Sequence, residues 1–127
     1  MDLLLVDDNP DYLLLLRDAL YSHGYNVETA ADGVEACALL SSRDFDLIIS
    51  DIRMPRLDGL RLHAFTREMD RYRDTKFVVI SGIREAYRDA VALNPKLDFF
   101  LEKTTPLQEI VKFVDSLVFG SFEGAWL

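Results

Sequence analysis

The sequence predicts an α/β fold in which a parallel β-sheet lies between two layers of helices, a three-layer sandwich. The first observation is that short apolar runs recur along the chain, such as Leu3–Val6 and Leu47–Ile49. Runs of this kind, without polar alternation, are typical of parallel strands that are buried on both faces. The second observation is that a turn and a helix-like segment separate successive runs. Strands and helices that alternate in this way predict a parallel sheet with right-handed crossovers.

In the first half of the chain, turn and capping residues separate three predicted strands from two predicted helices. Asn9 is suited to cap the first helix and Pro10 to begin it, while Gly24 is well placed to end it. The pair Asp32-Gly33 turns the chain into the second helix. We therefore place strands at residues 2–6, 25–30 and 46–50, and helices at residues 10–23 and 33–40.

The second half continues the alternation after a loop over residues 51–59. A more polar helix follows this loop, with Leu60, Ala64 and Phe65 on one side. The last helix begins at Pro106, and its apolar residues recur near the helical period of 3.6 residues. We place the strands of this half at residues 76–80 and 97–101, and its helices at residues 60–69, 84–93 and 106–118.

Composition narrows the class of protein. The chain has 127 residues, of which 50% are hydrophobic, so it can form one real core and is not disordered. Its net charge of −8 argues against direct binding of nucleic acid. Cys37 is the only cysteine, which excludes an internal disulfide and fits a reducing compartment. No apolar stretch approaches the roughly 18 residues of a membrane span, and no signal-like leader opens the chain. We expect a cytoplasmic protein that is not inserted in a membrane.

The C-terminal residues differ in character from the rest. We expect one folded domain over residues 1–118 and an apolar tail over residues 119–127, which includes Phe119, Phe122 and Trp126. A spacer to an output domain would more often be charged or flexible. The tail either folds back over the surface of its own domain or forms a contact between copies, as in a homodimer. The sequence leaves both alternatives open.

Three acidic residues stand at the ends of predicted strands. Asp7 and Asp8 close the first apolar run, and Asp51 closes the third. Ligands of open parallel sheets bind at the carboxyl ends of the strands, so we expect these carboxylates to meet in one crevice. Carboxylates that lie close together repel one another unless a cation intervenes. Oxygen ligands of this kind suit Mg²⁺, which often recruits a phosphate group. The three acids therefore indicate magnesium-dependent phosphoryl chemistry.

Two further polar residues follow predicted strands. Ser81 comes after the fourth strand and Lys103 after the fifth. A carboxylate such as Asp51 can act as a nucleophile and form an aspartyl phosphate. A metal ion and an ammonium group would neutralise the oxygens of the transferred group, which is most of the catalysis that phosphoryl transfer needs.

These residues carry a family resemblance over nearly the whole chain. The matching segments are Val6–Asn9, Asp51–Pro55 with Gly59, Val79–Gly82 and Phe99–Lys103. Each segment alone is a weak signal, but their order and spacing together are specific. The chain resembles the receiver domain of two-component response regulators, including chemotaxis regulators. The resemblance implies a five-stranded parallel sheet in the flavodoxin-like order 2-1-3-4-5.

The resemblance also implies roles for the acidic residues. Asp51 matches the phosphoacceptor of the family. Asp7 and Asp8 match the carboxylates that bind Mg²⁺, together with Asp51 itself and the backbone carbonyl of Arg53.

Three other residues match the catalytic and switching positions of the family. Ser81 matches the hydroxyl that moves towards the phosphoryl group, and Lys103 matches the cation that pairs with it. Phe100 stands where the family has a switch aromatic that rotates. We expect Ser81, Phe100 and the helix over residues 84–93 to change position on phosphorylation.

Each of these residues also has a purely structural alternative. Asp7, Asp8 or Asn9 could serve only to cap the first helix. Ser81 alone would usually be a turn residue, and Lys103 alone a solvated surface lysine. Phe100 by itself is more often a core residue than a switch.

Two smaller expectations concern histidine and proline positions. His23 and His63 lack the spacing of a shared metal site, so we expect both at the surface. The family lysine is normally followed by proline, often through a cis peptide bond, whereas Lys103 is followed by Thr104. A cis bond before a residue other than proline costs about 2.5–4 kcal/mol, so we expect a trans bond here.

The resemblance implies a phosphoacceptor switch of a two-component phosphorelay. Asp51 would accept a phosphoryl group from the phosphohistidine of a sensor histidine kinase or a histidine phosphotransfer protein. The change would pass to a downstream protein target or an output domain. Because the protein consumes its own phosphorylated form, we expect a switch and not a turnover enzyme.

Two other functions are weighed against this one. The first is a phosphorylation-independent interaction module on a receiver fold, against which the intact set of acids, hydroxyl and lysine argues. The second is a magnesium-dependent phosphohydrolase with an aspartate nucleophile. Such enzymes typically carry a second acid two residues after the nucleophile, and that position is Arg53 here.

Overall fold

Parallel strands form the centre of the molecule, as the sequence predicts. The computed structural model describes residues 1–82 and 94–119. The strands are β1 (Asp2–Val6), β2 (Asn26–Ala30), β3 (Leu47–Ser50), β4 (Lys76–Ser81) and β5 (Asp98–Glu102). They form one five-stranded sheet in the order β2-β1-β3-β4-β5, and every neighbouring pair is parallel. The predicted fold class and the predicted strand order are both confirmed.

Helices follow the strands in the predicted positions. They are α1 (Pro10–Tyr21), α2 (Gly33–Ser42), α3 (Gly59–Glu68) and α4 (Leu107–Phe119), with a 3₁₀ helix at Asp70–Tyr72 that the sequence did not predict. Their limits lie within two residues of the predicted ones. The helix expected over residues 84–93 lies outside the described residues. So does the tail expected over residues 119–127, apart from Phe119, which is the last residue of α4. None of the helices in the described ranges is long and apolar enough to cross a membrane.

The sheet divides the core into two layers, because successive side chains of each strand point to opposite faces. On one face, Leu3 and Leu5 of β1 pack with the apolar residues of α1 and α4. On the other face, Leu4 and Val6 pack with the apolar residues of α2 and α3. Most residues of β1, β3 and β4 are fully buried, which explains why their sequences show no polar alternation.

Side-chain caps begin three of the helices at the same edge of the sheet. The Asn9 side chain accepts hydrogen bonds from the first turn of α1, and Pro10 follows it as predicted. Asp32 accepts from the Glu35 N–H at the start of α2, and Asp58 accepts from the Arg61 N–H at the start of α3. These caps tie the loops at the carboxyl ends of the strands to the helices that follow.

The buried face of α3 differs from the side of the helix that carries Leu60, Ala64 and Phe65. Ala64 and Phe65 are exposed, and the buried side chains of this helix include Leu62, His63 and Thr66. His63 was expected at the surface, yet its side chain is only 9% exposed. The physical reason is a charge partner on a distant strand, since His63 Nε2 lies 2.8 Å from Asp98 Oδ1 at the start of β5. His23 is exposed, as predicted.

Candidate functional site

The three acidic residues meet at the carboxyl edge of the sheet. Asp7 follows β1 and Asp51 follows β3, and the residues just before them, Val6 and Ser50, are paired in the register of the two strands. The Asp51 N–H donates to the Val6 carbonyl at 2.9 Å, which continues the ladder beyond the strand ends. Asp8 lies beside them and is exposed, whereas Asp7 and Asp51 are buried.

The carboxylates are close enough to share a metal ion. One oxygen atom from each of Asp7, Asp8 and Asp51 lies within 4.8 Å of the others. This donor set consists of oxygen atoms alone, the type that Mg²⁺ prefers. An open cleft of about 470 Å³ adjoins the cluster, and Asp8 and Arg53 are among its lining residues. The cleft leaves room for the water molecules and the phosphate oxygen that would complete the coordination of Mg²⁺.

Lys103 is the cation at the centre of the described site. Its Nζ lies 2.9 Å from Asp7 Oδ2 and 3.1 Å from Asp51 Oδ2. The backbone N–H of Lys103 donates to the Ser81 carbonyl at 3.0 Å, so the position of the loop depends on the pairing of β4 with β5. The Lys103–Thr104 peptide bond is trans, which confirms that prediction.

Burial and charge change the proton affinities of these groups. Burial and the charge of Asp7 raise the pKa of Asp51, although Lys103 opposes them. Burial alone would lower the pKa of Lys103, but the hydrogen bond to Asp7 and the charges of Asp51 and Asp7 outweigh it and raise that pKa. Lys103 is therefore protonated and positively charged at neutral pH. A divalent metal ion would relieve the remaining repulsion between the carboxylates.

Tyr12 is a member of the site that sequence reasoning missed. Lys103 Nζ lies 4.8 Å from the centre of the Tyr12 ring, a cation–π contact. The hydroxyl of Tyr12 is buried and has no hydrogen-bond partner among the described residues. Burial, with the charges of Asp7 and Asp51, raises the pKa of Tyr12 to about 12 despite the opposing charge of Lys103. One sequence feature could have indicated this role: Tyr12 lies in the first turn of α1, the helix that directly follows Asp7 and Asp8.

The predicted hydroxyl and aromatic residues lie on the neighbouring strands. Ser81 is the last residue of β4 and is only 2% exposed. Phe100 lies on β5 opposite Val79 of β4, and it is half-buried against the core layer under α2 and α3. Its position is compatible both with a core residue and with a switch.

The loop after Asp51 requires a glycine at its far end. A Cβ atom on Gly59 would lie 2.2 Å from the Asp51 carbonyl oxygen and 2.8 Å from the Ile52 Cα. The Gly59 N–H donates to the Ile52 carbonyl at 2.8 Å, and the Ile52 N–H donates to Asp51 Oδ1 at 2.7 Å. The start of α3 is therefore packed directly against the backbone that presents Asp51.

Comparisons of sequence agree with the geometry. The family model of the response regulator receiver domain matches residues 3–115. The sensor histidine kinase RcsC of Escherichia coli is 46% identical over 69 residues, which are 54% of this chain and 7% of the kinase. The transcriptional regulatory protein GlrR of Escherichia coli is 38% identical over 114 residues, which are 89% of this chain and 25% of that protein. The chain thus spans a quarter or less of the length of these relatives.

Comparison of structure gives the same result. The crystal structure of the receiver domain of a sensor histidine kinase from Pseudomonas aeruginosa matches this chain with a TM-score of 0.82 and 25% sequence identity. The match covers 92% of this chain and 96% of that domain. That structure has a magnesium ion coordinated in its active site cleft.

Proposed function

The chain belongs to the response regulator receiver domain family, and we propose that it is a phosphoacceptor switch in which Asp51 receives the phosphoryl group. The observation that carries this proposal is the arrangement around Asp51. Its buried carboxylate lies within 4.8 Å of oxygen atoms of two other acids and 3.1 Å from Lys103 Nζ. A nucleophile, a metal-binding set and a cation therefore converge on one crevice.

Asp7, Asp8 and Asp51, with the backbone carbonyl of Arg53, would hold the Mg²⁺ ion. The acidic, oxygen-only donor set fits this ion, and similarity to a receiver domain crystallised with magnesium supports it. The bound ion supplies positive charge to the oxygens of the transferred group. Because Asp8 is exposed and Asp7 is buried, the ion would enter from the Asp8 side.

In the proposed transfer, an Asp51 carboxylate oxygen forms a bond to the phosphorus atom of a phosphohistidine. The phosphorus–nitrogen bond breaks, and its electron pair stays on the histidine nitrogen of the donor. Lys103 is already within reach of Asp51 and neutralises the incoming oxygens. The donor would be a sensor histidine kinase or a histidine phosphotransfer protein.

The proposed output is a change in the population of two conformations. The Ser81 hydroxyl would donate a hydrogen bond to the phosphoryl group, and Phe100 would change its orientation on the adjacent strand. A downstream protein or an output domain would recognise the altered surface. Relatives such as GlrR are several times longer than this chain. The proposal therefore includes both a separate downstream protein and an output domain joined to the receiver domain. A cytoplasmic location, as predicted from the sequence, belongs to the same proposal.

The proposal is tested with a small phosphodonor such as acetyl phosphate and intact-mass spectrometry. The wild-type chain is expected to gain one phosphoryl group when Mg²⁺ is present, and none when EDTA removes the metal. Asp8→Asn removes one charge from the exposed side of the metal set, so it should gain the group more slowly at the same Mg²⁺ concentration. Asp44→Asn is a control because Asp44 is exposed and pairs with Arg71, away from the site. Equal labelling with and without EDTA contradicts the proposal, and no labelling under any condition favours the interaction module.

A further inference from the structure

The loop after Asp51 contains a strained backbone turn at Arg56. Arg56 has a φ of 68°, the only positive φ among the non-glycine residues that the structure describes. The Leu57 N–H donates to the Pro55 carbonyl at 2.8 Å, so Arg56 is the central residue of a γ-turn. A γ-turn with positive φ is rare and strained. Arginine has a Cβ atom and a long side chain, so a positive φ is unfavourable for it. Strain of this kind persists only when the surroundings hold it in place.

The Arg56 side chain provides one such restraint. Its Nε and Nη2 atoms lie 2.9 and 2.5 Å from Asp32 Oδ2. The other oxygen, Asp32 Oδ1, accepts a hydrogen bond from the Glu35 N–H at 2.9 Å, so Asp32 is anchored at the start of α2. The Glu35 N–H and the Arg56 guanidinium hold the pKa of Asp32 below its usual value, so this carboxylate stays charged near neutral pH. Arg56 thus links the loop to a helix on another part of the chain.

Close packing provides a second restraint at the next residue. A Cβ atom on Gly33 would lie 2.3 Å from the Leu57 carbonyl oxygen and 2.7 Å from the Leu57 Cβ. The loop therefore rests directly on the first residue of α2. The strained turn is held by charge at Arg56 and by close packing at Leu57. The loop that it shapes also carries Arg53, whose carbonyl is a proposed metal ligand.

We propose that the Arg56–Asp32 ion pair positions this loop so that the Arg53 carbonyl is in place before Mg²⁺ arrives. Arg56 and Asp32 are positioning residues, since neither is among the proposed ligands. The inference rests on the proposed function and extends it to residues outside the acidic cluster. Without the ion pair, the strained turn relaxes and the loop leaves its binding-competent arrangement for part of the time.

The expected change in Mg²⁺ affinity follows from the fraction of molecules in which the loop has its binding-competent arrangement. The apparent dissociation constant equals the intrinsic constant divided by the fraction of competent molecules. If loss of the ion pair lowers that fraction to roughly one fifth, the apparent dissociation constant for Mg²⁺ rises about fivefold.

The test compares Arg56→Ala, Asp32→Asn and the double variant with wild type in the full chain. Asn caps a helix about as well as Asp, so Asp32→Asn removes the charge while α2 keeps its start. Titration calorimetry with MgCl₂ gives the dissociation constant, and NMR amide exchange without metal gives the protection of the Leu57 N–H. Arg73→Ala is the matched control, because it removes an exposed arginine that pairs with Asp70.

Each single variant is expected to raise the dissociation constant about fivefold and to lose Leu57 protection, and Arg73→Ala should do neither. The double variant should resemble the single ones, because they remove the same interaction. Unchanged Mg²⁺ affinity in both single variants overturns the inference, and so does unchanged Leu57 protection. Failure of the wild type to bind Mg²⁺ overturns the proposed function as well, so the two failures are distinguishable.

Discussion

Lys103 sets the electrostatic balance of the site at the scale of single residues. Its ammonium group is shared between Asp7 and Asp51 at 2.9 and 3.1 Å and rests over the Tyr12 ring. It lowers the pKa of Asp51, while burial and Asp7 raise it. In the metal-free protein Lys103 is the counter-charge of these two carboxylates. Loss of the Lys103 charge should therefore be visible in the titration of Asp51.

Lys103→Met is expected to raise the pKa of Asp51 further above its usual value in the metal-free protein. Methionine keeps an unbranched apolar stem but carries no charge. Burial and the charge of Asp7 then raise the pKa of Asp51 without the opposing effect of Lys103. NMR titration of the Asp51 side-chain carboxyl carbon measures the change, with Lys112→Met as a control at an exposed lysine. An unchanged or lower pKa of Asp51 would contradict the assigned electrostatics.

Tyr12→Phe is expected to leave the free energy of unfolding unchanged or to raise it by up to about 1 kcal/mol, because it removes a buried hydroxyl without a partner among the described residues. Tyr25→Phe is the matched comparison, since the Tyr25 hydroxyl donates to Asp115. Loss of that hydrogen bond to a charged group should cost about 1.5–3 kcal/mol. Urea unfolding distinguishes them, and a larger loss for Tyr12→Phe than for Tyr25→Phe is the contradicting result.

At the scale of secondary-structure elements, Asp98 joins the start of β5 to α3. Its carboxylate accepts hydrogen bonds from His63 Nε2 at 2.8 Å, from Arg67 Nη2 at 2.6 Å and from the Asn94 N–H at 2.8 Å. Burial would raise the pKa of Asp98, but the hydrogen bonds from Asn94, His63 and Arg67 outweigh it and lower that pKa. The ionised form of Asp98 therefore stabilises the folded state.

Asp98→Asn is expected to lower the free energy of unfolding at pH 7 by about 2 kcal/mol, within the range for hydrogen bonds to charged groups. The pKa of Asp98 is lower in the folded than in the unfolded chain, where it is about 3.9. Its contribution is therefore complete above the unfolded pKa and disappears as pH falls through the folded pKa. Denaturant unfolding at several pH values should show wild type and variant converging only in acid. A difference that persists unchanged down to pH 2 contradicts this assignment.

The face of α3 shows what apolar spacing does not reveal about an element. Leu60, Ala64 and Phe65 share one side of the helix, yet Ala64 and Phe65 are exposed. The side chains of His63 and Arg67 contact Asp98 instead. The partner stands 35 residues after His63 and belongs to a strand at the edge of the sheet. A polar side chain can be buried when a partner satisfies its hydrogen bonds. The local sequence pattern around His63 does not indicate a partner that is so distant along the chain.

At the scale of the whole molecule, the fold and the acidic cluster were predictable for one reason. Buried parallel strands appear in the sequence as apolar runs, and the residues that follow those runs lie together at the carboxyl edge of the sheet. The proximity of Asp7, Asp8, Asp51 and Lys103 was therefore predictable from their places after the strands. The γ-turn at Arg56 and its pairing with Asp32 were not, because they depend on how two loops contact each other after the sheet has formed.

The most direct test of the proposed function is to locate the modified residue. Wild type and Asp51→Asn are incubated with acetyl phosphate and Mg²⁺, the acyl phosphate is trapped with borohydride, and peptides are mapped by mass spectrometry. Reduction converts an aspartyl phosphate to homoserine, so the wild type should carry homoserine at position 51 and the variant should carry none. Homoserine at another aspartate of the wild type, or equal phosphorylation of Asp51→Asn, would contradict the assignment of Asp51 as the phosphoacceptor.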